Sequence, residues 1–139
     1  MGITVGSLRL ENPVLLAPMS GVTDAPFRRL ARRLGAGLVV SEMIVSRGVV
    51  QRTRESERRR QPDDVEGPLV IQLAGAEPEL MAEAARLSED RGAAMIDINM
   101  GCPVKKVAKG RHAGAALMRD EAAAARLIEA TVGAVSIPV

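Results

Sequence analysis

Residues 12–35, NPVLLAPMSGVTDAPFRRLARRLG, place a short apolar run in front of a helix-like pattern. The apolar run closes with a proline and a glycine, which is typical of a buried strand followed by a loop. Thr23 or Asp24 can cap the exposed amides of a helix, and Gly35 can end it. The apolar residues between them recur at helical spacing: Phe27, Leu30, Ala31 and Leu34. The segment therefore predicts one strand–loop–helix unit.

Similar units follow along the chain. Strands are predicted at residues 37–43, 68–75 and 94–101, and alanine-rich helices at 77–91 and 120–132, the second capped by Asp120. The Arg-rich segment 46–67 predicts a connection with some helical character, and residues 136–139 begin a fresh apolar run that is a candidate fifth strand. Strands that alternate with helices predict a parallel sheet with crossover helices.

The loop after the first strand discriminates between two parallel-sheet folds. A dinucleotide-binding open sheet requires G-x-G-x-x-G at this point, and residues 17–27, APMSGVTDAPF, lack it. A (β/α)₈ barrel takes about 250 residues, so four βα units make about half of one. We therefore expect an α/β chain that is the first half, about four βα units, of a truncated TIM (β/α)₈ barrel.

Composition limits the class of protein. The 139 residues are 47% hydrophobic with a net charge of +2, and no apolar run approaches the ~20 residues that cross a bilayer. The first residues do not resemble a signal peptide, and one cysteine cannot form an internal disulfide. We expect a soluble, cytoplasmic protein without a metal site. Phe27 is the single aromatic residue, which argues against a free-standing single-strand RNA module.

Two basic clusters stand out. One is interpreted as a solvated face and comprises Arg47, Arg52, Arg54, Arg58, Arg59 and Arg60. The other surrounds the cysteine, in DINMGCPVKKVAKG at residues 97–110. An apolar run that breaks into Gly-Cys-Pro indicates a strand entering a loop, and such loops bind ligands in α/β proteins. Cys102 is therefore a candidate functional residue.

Four motifs together resemble the tRNA-dihydrouridine synthases, flavin enzymes that reduce specific uridines in tRNA. They are APMSGVTDAPFRRLARRLGAG at 17–37, SEM at 41–43, VIQLAG at 70–75 and DINMGCPVKKVAKG. The resemblance implies FMN as cofactor, NADPH as reductant and tRNA as partner. It also implies that residues 1–139 are the N-terminal half of an FMN-binding barrel, with the rest of the barrel and a helical tRNA-binding domain expected beyond Val139.

The resemblance also implies site residues. The backbone of Ala17, Pro18 and Met19 corresponds to contacts with the flavin ring system, and the Gln72 side chain corresponds to a contact with the ring edge. Asn99, which offers a donor and an acceptor, and Cys102, as the acid that protonates C5, correspond to residues that face the uracil. Phosphate contacts are expected from Lys105, Lys106, Lys109 and Arg111. Asp97 is expected to be an interior hydrogen-bonding residue with no catalytic role, and His112 and Ala115 depart from the family pattern and receive none.

Two alternatives stay open from the sequence. A related flavin barrel could act on a small pyrimidine such as dihydroorotate, although the Lys105-Lys106 pair and the APMSGVTD turn favour the tRNA enzyme. A non-catalytic half-barrel or basic RNA-binding remnant would turn over no flavin. Four parallel strands with unpaired edges are also expected to self-associate.

Overall fold

The structure, a computed structural model, describes residues 2–61, 67–103 and 113–139. The strands are β1 (Ile3–Val5), β2 (Leu8–Leu10), β3 (Leu15–Leu16), β4 (Leu38–Val40), β5 (Ile44–Val45), β6 (Leu69–Ala74) and β7 (Met95–Ile98). The helices are α1 (Ala25–Arg33), α2 (Ser46–Val50), α3 (Arg54–Arg59), α4 (Pro78–Glu89) and α5 (Glu121–Val132), with a 3₁₀ helix at Gly114–Arg119 before α5.

The main sheet is parallel, and its strands follow chain order in space. β3 pairs with β4, and β4 and β5 pair in turn with the two ends of β6, through Val40↔Val70 and Ile44↔Leu73. β7 pairs with the other edge of β6. β4 and β5 therefore form one strand that is interrupted at residues 41–43. The predicted alternation of parallel strands and helices is confirmed, and the first strand of the sheet lies at an edge, unlike the central first strand of an open dinucleotide-binding sheet.

Different elements pack on the two faces of the sheet. On one face, β6 and β7 pack Ile71, Leu73 and Ile96 in a buried cluster with Met81 of α4 and Leu127 of α5. On the other face, a second cluster of buried residues contains Leu10, Leu38, Val40, Val70 and Met95, with Ile3, Val5 and Leu8 packed against it. The hairpin formed by β1 and β2 therefore covers the amino-terminal part of this second face.

The predicted helix ends are largely confirmed. Asp24 accepts a hydrogen bond from the Phe27 amide at 3.0 Å and caps α1, while Gly35 follows the helix with φ +96°. Asp120 caps α5 through the Ala123 amide at 2.9 Å. These caps are local interactions between residues three positions apart, which explains why the sequence alone locates them.

The β1–β2 hairpin was not predicted. The expected helical character of the Arg-rich segment is confirmed by α2 and α3, which lie within residues 46–61. The apolar face of α1 is not buried by the described residues: Phe27, Leu30 and Leu34 are exposed, whereas Arg28 is buried. Among the described residues α1 packs mainly on β4, so its other side faces solvent.

The Arg-rich cluster is only partly a solvated face. Arg60 is buried and donates to the Leu87 carbonyl at 2.9 Å, and Arg59 donates to the Met43 carbonyl. Glu57 forms ion pairs with Arg60 and Arg91. The hydrogen bond from Arg60 is the largest cause that lowers the pKa of Glu57 from its ordinary 4.5; burial opposes it, and the hydrogen bond from Arg91 lowers the pKa further. Arg60 of the predicted cluster thus joins α3 to α4 through its hydrogen bond to Leu87, and the Glu57–Arg91 ion pair joins α3 to the end of α4.

Residues 136–139 are not a regular strand, but the Pro138 carbonyl accepts a hydrogen bond from the Ile96 amide at 2.9 Å. The segment therefore lies beside β7, where the next strand of a sequentially ordered sheet belongs. In the part of the chain that the structure describes, no helix combines the length and the apolar character needed to cross a membrane.

Candidate active site

The second face of the sheet changes from apolar to polar along β6 and β7. Val70 pairs in register with Met95, and two residues further on Gln72 pairs with Asp97. Side chains two residues apart in a strand share a face. Gln72 and Asp97 therefore continue the hairpin-covered face toward the carboxyl ends of the strands, where parallel α/β proteins bind ligands.

A chain of hydrogen bonds joins these residues to the cysteine loop. Gln72 Nε2 donates to Asp97 Oδ2 at 2.5 Å, and Asn99 Nδ2 donates to Gln72 Oε1 at 3.0 Å. Asn99 Oδ1 then accepts from the amides of Gly101 at 3.2 Å and Cys102 at 2.9 Å. The structure thus brings together Gln72, Asn99 and Cys102, and it places Asp97, the expected interior hydrogen-bonding residue, at the other end of the series.

The Asn99 side chain already makes hydrogen bonds within the protein. Its Oδ1 atom already accepts two backbone hydrogen bonds, and one Nδ2 hydrogen is directed to Gln72. An amide oxygen has two lone pairs and its nitrogen two hydrogens. With these bonds made, one Asn99 N–H has no partner among the described residues, so this arrangement offers a donor to a ligand, and the expected contact of Asn99 with a base stays a prediction.

Cys102 lies at the edge of this network. It is half-buried and packs beside Ala74 and Ala113, with Met43 in the same cluster. Its carbonyl accepts from the Ala115 amide at 3.1 Å, which ties the loop to the 3₁₀ helix. The thiol thus sits at the carboxyl end of β6, on the side that carries Gln72. The predicted phosphate ligands Lys105, Lys106, Lys109 and Arg111, together with His112, lie outside the described residues.

The loop between β3 and α1 forms a compact turn. The Met19 amide donates to Thr23 Oγ1 at 2.9 Å, and the Met19 carbonyl accepts from the amides of Val22 and Thr23. The Met19 N–H is thereby used inside the turn.

Sequence reasoning missed Glu42. Its carboxylate is buried and accepts from the Gly21 amide at 2.6 Å, and Arg59 Nη2 lies 3.9 Å from the same Oε1 atom. Glu42 therefore links the β3–α1 loop to α3. Neighbouring Ser41 accepts from the Gln72 amide at 3.0 Å. The signal was an acidic residue inside an apolar strand, since buried carboxylates are rare unless they are paired.

In the described part of the chain, Gln72 keeps hydrogen-bonding capacity for a ligand, and two loop glycines border open space. Among the described residues, Gln72 retains one N–H and one lone pair, and a β-carbon added to Gly21 or Gly101 would meet nothing within 4 Å. The space beside both loops is therefore open. Within residues 2–61, 67–103 and 113–139, no group of histidine, cysteine and acidic side chains could hold a metal ion.

Comparison with known proteins agrees with this arrangement. The dihydrouridine synthase family matches residues 15–139, which include all of the main sheet. The chain belongs to the dihydrouridine synthase family. Its dihydrouridine synthase relatives include a probable tRNA-dihydrouridine synthase of Rickettsia prowazekii (strain Madrid E), 55% identical over 138 residues. That match covers 99% of this chain and 42% of the relative.

Two further relatives show the same coverage. A probable tRNA-dihydrouridine synthase of Rhizobium leguminosarum bv. phaseoli is 58% identical over 132 residues, which are 95% of this chain and 41% of the relative. The tRNA-dihydrouridine synthase B of Pseudomonas aeruginosa (strain PAO1) is 50% identical over 137 residues, which are 99% of this chain and 41% of the relative. The chain thus spans about two-fifths of the length of these dihydrouridine synthases.

Proposed function

We propose that the protein carrying this chain reduces uridine in tRNA to 5,6-dihydrouridine, with FMN as cofactor and NADPH as reductant. The observation that carries the proposal is the hydrogen-bonded series Gln72–Asn99–Cys102 at the carboxyl ends of β6 and β7. Those are the positions at which the family resemblance implies a flavin contact, a base contact and an acid. The relatives' names support tRNA as the substrate.

The fold proposal is a TIM barrel whose first four strands are present here. Strand order that follows chain order supports it, as does Pro138 beside β7. In such a barrel the hairpin-covered face of the sheet would be the interior. Gln72 and Asp97 would then form a polar layer above an apolar one, near the mouth where barrel enzymes bind substrates.

Each residue has a proposed role that its geometry supports. Ala17 and Pro18 would contact the flavin ring through their backbone, Met19 would shape the same turn, and Gln72 would donate to or accept from the ring edge. Bound FMN supplies the hydride for C6 of the base. Asn99 would present its remaining N–H to a carbonyl oxygen of the base, which suits uracil and disfavours the amino group of cytosine at that edge.

Cys102 would supply the proton for C5. A thiol carries an S–H proton that it can donate, as a general acid must. The target base must leave its stack in tRNA at a cost of a few kcal/mol. Contacts from Lys105, Lys106, Lys109 and Arg111 to phosphates would offset this cost, and tRNA binding would weaken steeply with salt.

The test is Cys102→Ala in the full-length protein. Flavin binding, followed by the visible absorbance of FMN, should be retained, and turnover on tRNA should fall by about 10²–10⁴-fold, the usual contribution of a general acid. Cys102→Ser is the matched control for side-chain volume. Turnover by Cys102→Ala within a few-fold of the unsubstituted protein would refute the acid assignment, and a protein that binds no FMN would refute the proposed function as a whole.

A further inference from the structure

We propose that Asp97 is a positioning residue: its carboxylate sets the direction of the amide chain through Gln72 and Asn99 and thereby holds the Cys102 loop in place. Among the described residues, Asp97 hydrogen-bonds to Gln72 and is connected to the loop through Gln72 and Asn99. The value of this role for catalysis rests on the proposed function. The positioning itself does not, and it is tested separately.

The two ends of this series of hydrogen bonds determine which groups donate and which accept. The amides of Gly101 and Cys102 can only donate, so the atom of Asn99 that faces them must be the oxygen. Asn99 Nδ2 then faces Gln72, which must present Oε1. The Gln72 nitrogen consequently faces β7, where it requires an acceptor. An ionised carboxylate accepts hydrogen bonds and donates none, which is what this position requires.

Loss of the Asp97 carboxylate should release first the Gln72 side chain and then the Asn99 side chain. Gln72 is only 6% exposed, so its Nε2 atom cannot readily exchange Asp97 for water. A buried donor without a partner is costly, so the Gln72 side chain should shift to bring Nε2 toward water. Such a shift would weaken the hydrogen bond that Asn99 Nδ2 donates to Gln72 Oε1. Asn99 would then be free to leave the amides of Gly101 and Cys102.

The β6–β7 register explains why Asp97, and no neighbouring residue of β7, can accept a hydrogen bond from Gln72. Asp97 stands directly opposite Gln72 in the parallel β6–β7 pair, whereas Ile96 and Ile98 point to the other face of the sheet. A residue moved by one position along β7 would face α4 and α5 instead. The carboxylate is thus placed by the sheet rather than by a loop.

The experiment measures the rate at which iodoacetamide alkylates Cys102 in the full-length protein, with Cys102→Ser subtracting any other thiol. Asp97→Ala should raise the rate about fivefold, the factor expected for one lost hydrogen bond. Asp97→Asn retains an oxygen that can accept from Gln72 and should stay within about twofold of the unsubstituted protein. Leu127→Ala, in the buried core beneath α5, is the control for a general loss of stability and should not change the rate well below its unfolding temperature.

A charge exchange provides the decisive comparison. Gln72→Glu alone opposes two carboxylates and should accelerate alkylation more than Asp97→Ala does. In the double variant Gln72→Glu/Asp97→Asn, the new glutamate can accept from both the introduced asparagine and Asn99, so the rate should return toward that of the unsubstituted protein. This pair decides the proposal even if Asp97→Ala does not fold.

Three results would overturn the inference. The first is a folded Asp97→Ala protein with an unchanged alkylation rate. The second is a double variant that reacts as fast as Gln72→Glu alone, and the third is an equal acceleration by Leu127→Ala. A failure of the tRNA turnover assay would refute the proposed function and would leave these thiol measurements unaffected.

Discussion

Replacement of Glu42 by alanine should destabilise the protein and release the β3–α1 loop. Glu42 is buried, and its carboxylate binds the Gly21 amide at 2.6 Å. A hydrogen bond to a charged acceptor contributes about 1.5–3 kcal/mol. Because Gly21 is exposed, water can replace the carboxylate at that amide, so the loss should lie near the lower end of the range.

Loss of the ion pair with Arg59 adds a smaller cost in free energy of unfolding. Arg59 lies 3.9 Å from Glu42 Oε1, and it keeps Glu55 at 2.7 Å and the Met43 carbonyl when Glu42 is removed. Arg59 is thus not left as an unpaired buried charge, and the lost pair should cost about 1 kcal/mol or less. The total for Glu42→Ala is therefore about 1.5–2.5 kcal/mol. Glu42→Gln retains an acceptor for Gly21 and should lose about half as much.

The matched control removes the other acidic partner of the same arginine. The Glu55 side chain is 66% exposed, and it pairs with Arg59 at helical i,i+4 spacing, so Glu55→Ala should cost no more than about 0.5 kcal/mol. Urea unfolding of the full-length protein gives the free energies, and hydrogen exchange at the Gly21 amide reports the loop. Equal costs for Glu42→Ala and Glu55→Ala, or unchanged exchange at Gly21, would refute the reasoning.

Two further substitutions test the packing and the ion pairs. A β-carbon at Gly37 would stand 2.4 Å from the Asn12 carbonyl oxygen, so Gly37→Ala should lower the free energy of unfolding by about 1–3 kcal/mol. The control is Gly101→Ala, whose β-carbon would meet nothing within 4 Å. In the same urea titration, Gly101→Ala should leave the free energy of unfolding nearly unchanged. Because the folded-state pKa of Glu57 is lowered, its stabilisation is present above the ordinary value of 4.5 and is lost as pH falls through the folded-state value. Glu57→Gln should therefore destabilise at about pH 6 but much less at about pH 3.5, and equal effects at both pH values would contradict the assignment.

Local signals explain which parts of the fold the sequence predicts. The caps Asp24 and Asp120 act on amides three residues away, and Gly35 takes a positive φ just after α1. Each can be identified in a window of a few residues. The β1–β2 hairpin also carried a local signal, since Gly6 with φ +57° and Ser7 form a two-residue connection, but three-residue strands are too short for a clear alternation of apolar and polar residues.

The contacts of the candidate site also divide into those that sequence spacing predicts and those that depend on strand pairing. Asn99 and Cys102 lie three positions apart, so their proximity follows from sequence spacing, whereas the contacts of Asn99 with Gln72 and of Gln72 with Asp97 cross between strands 25–27 residues apart. Those contacts depend on the β6–β7 register, and a shift of one residue would turn Asp97 toward the helices. Packing of Met95 in the cluster beneath the hairpin opposes that shift, because the shift would turn Met95 away from Val70 and toward the helices. The unpredicted hairpin at one end of the sheet therefore helps to place the polar residues of the candidate site at the other.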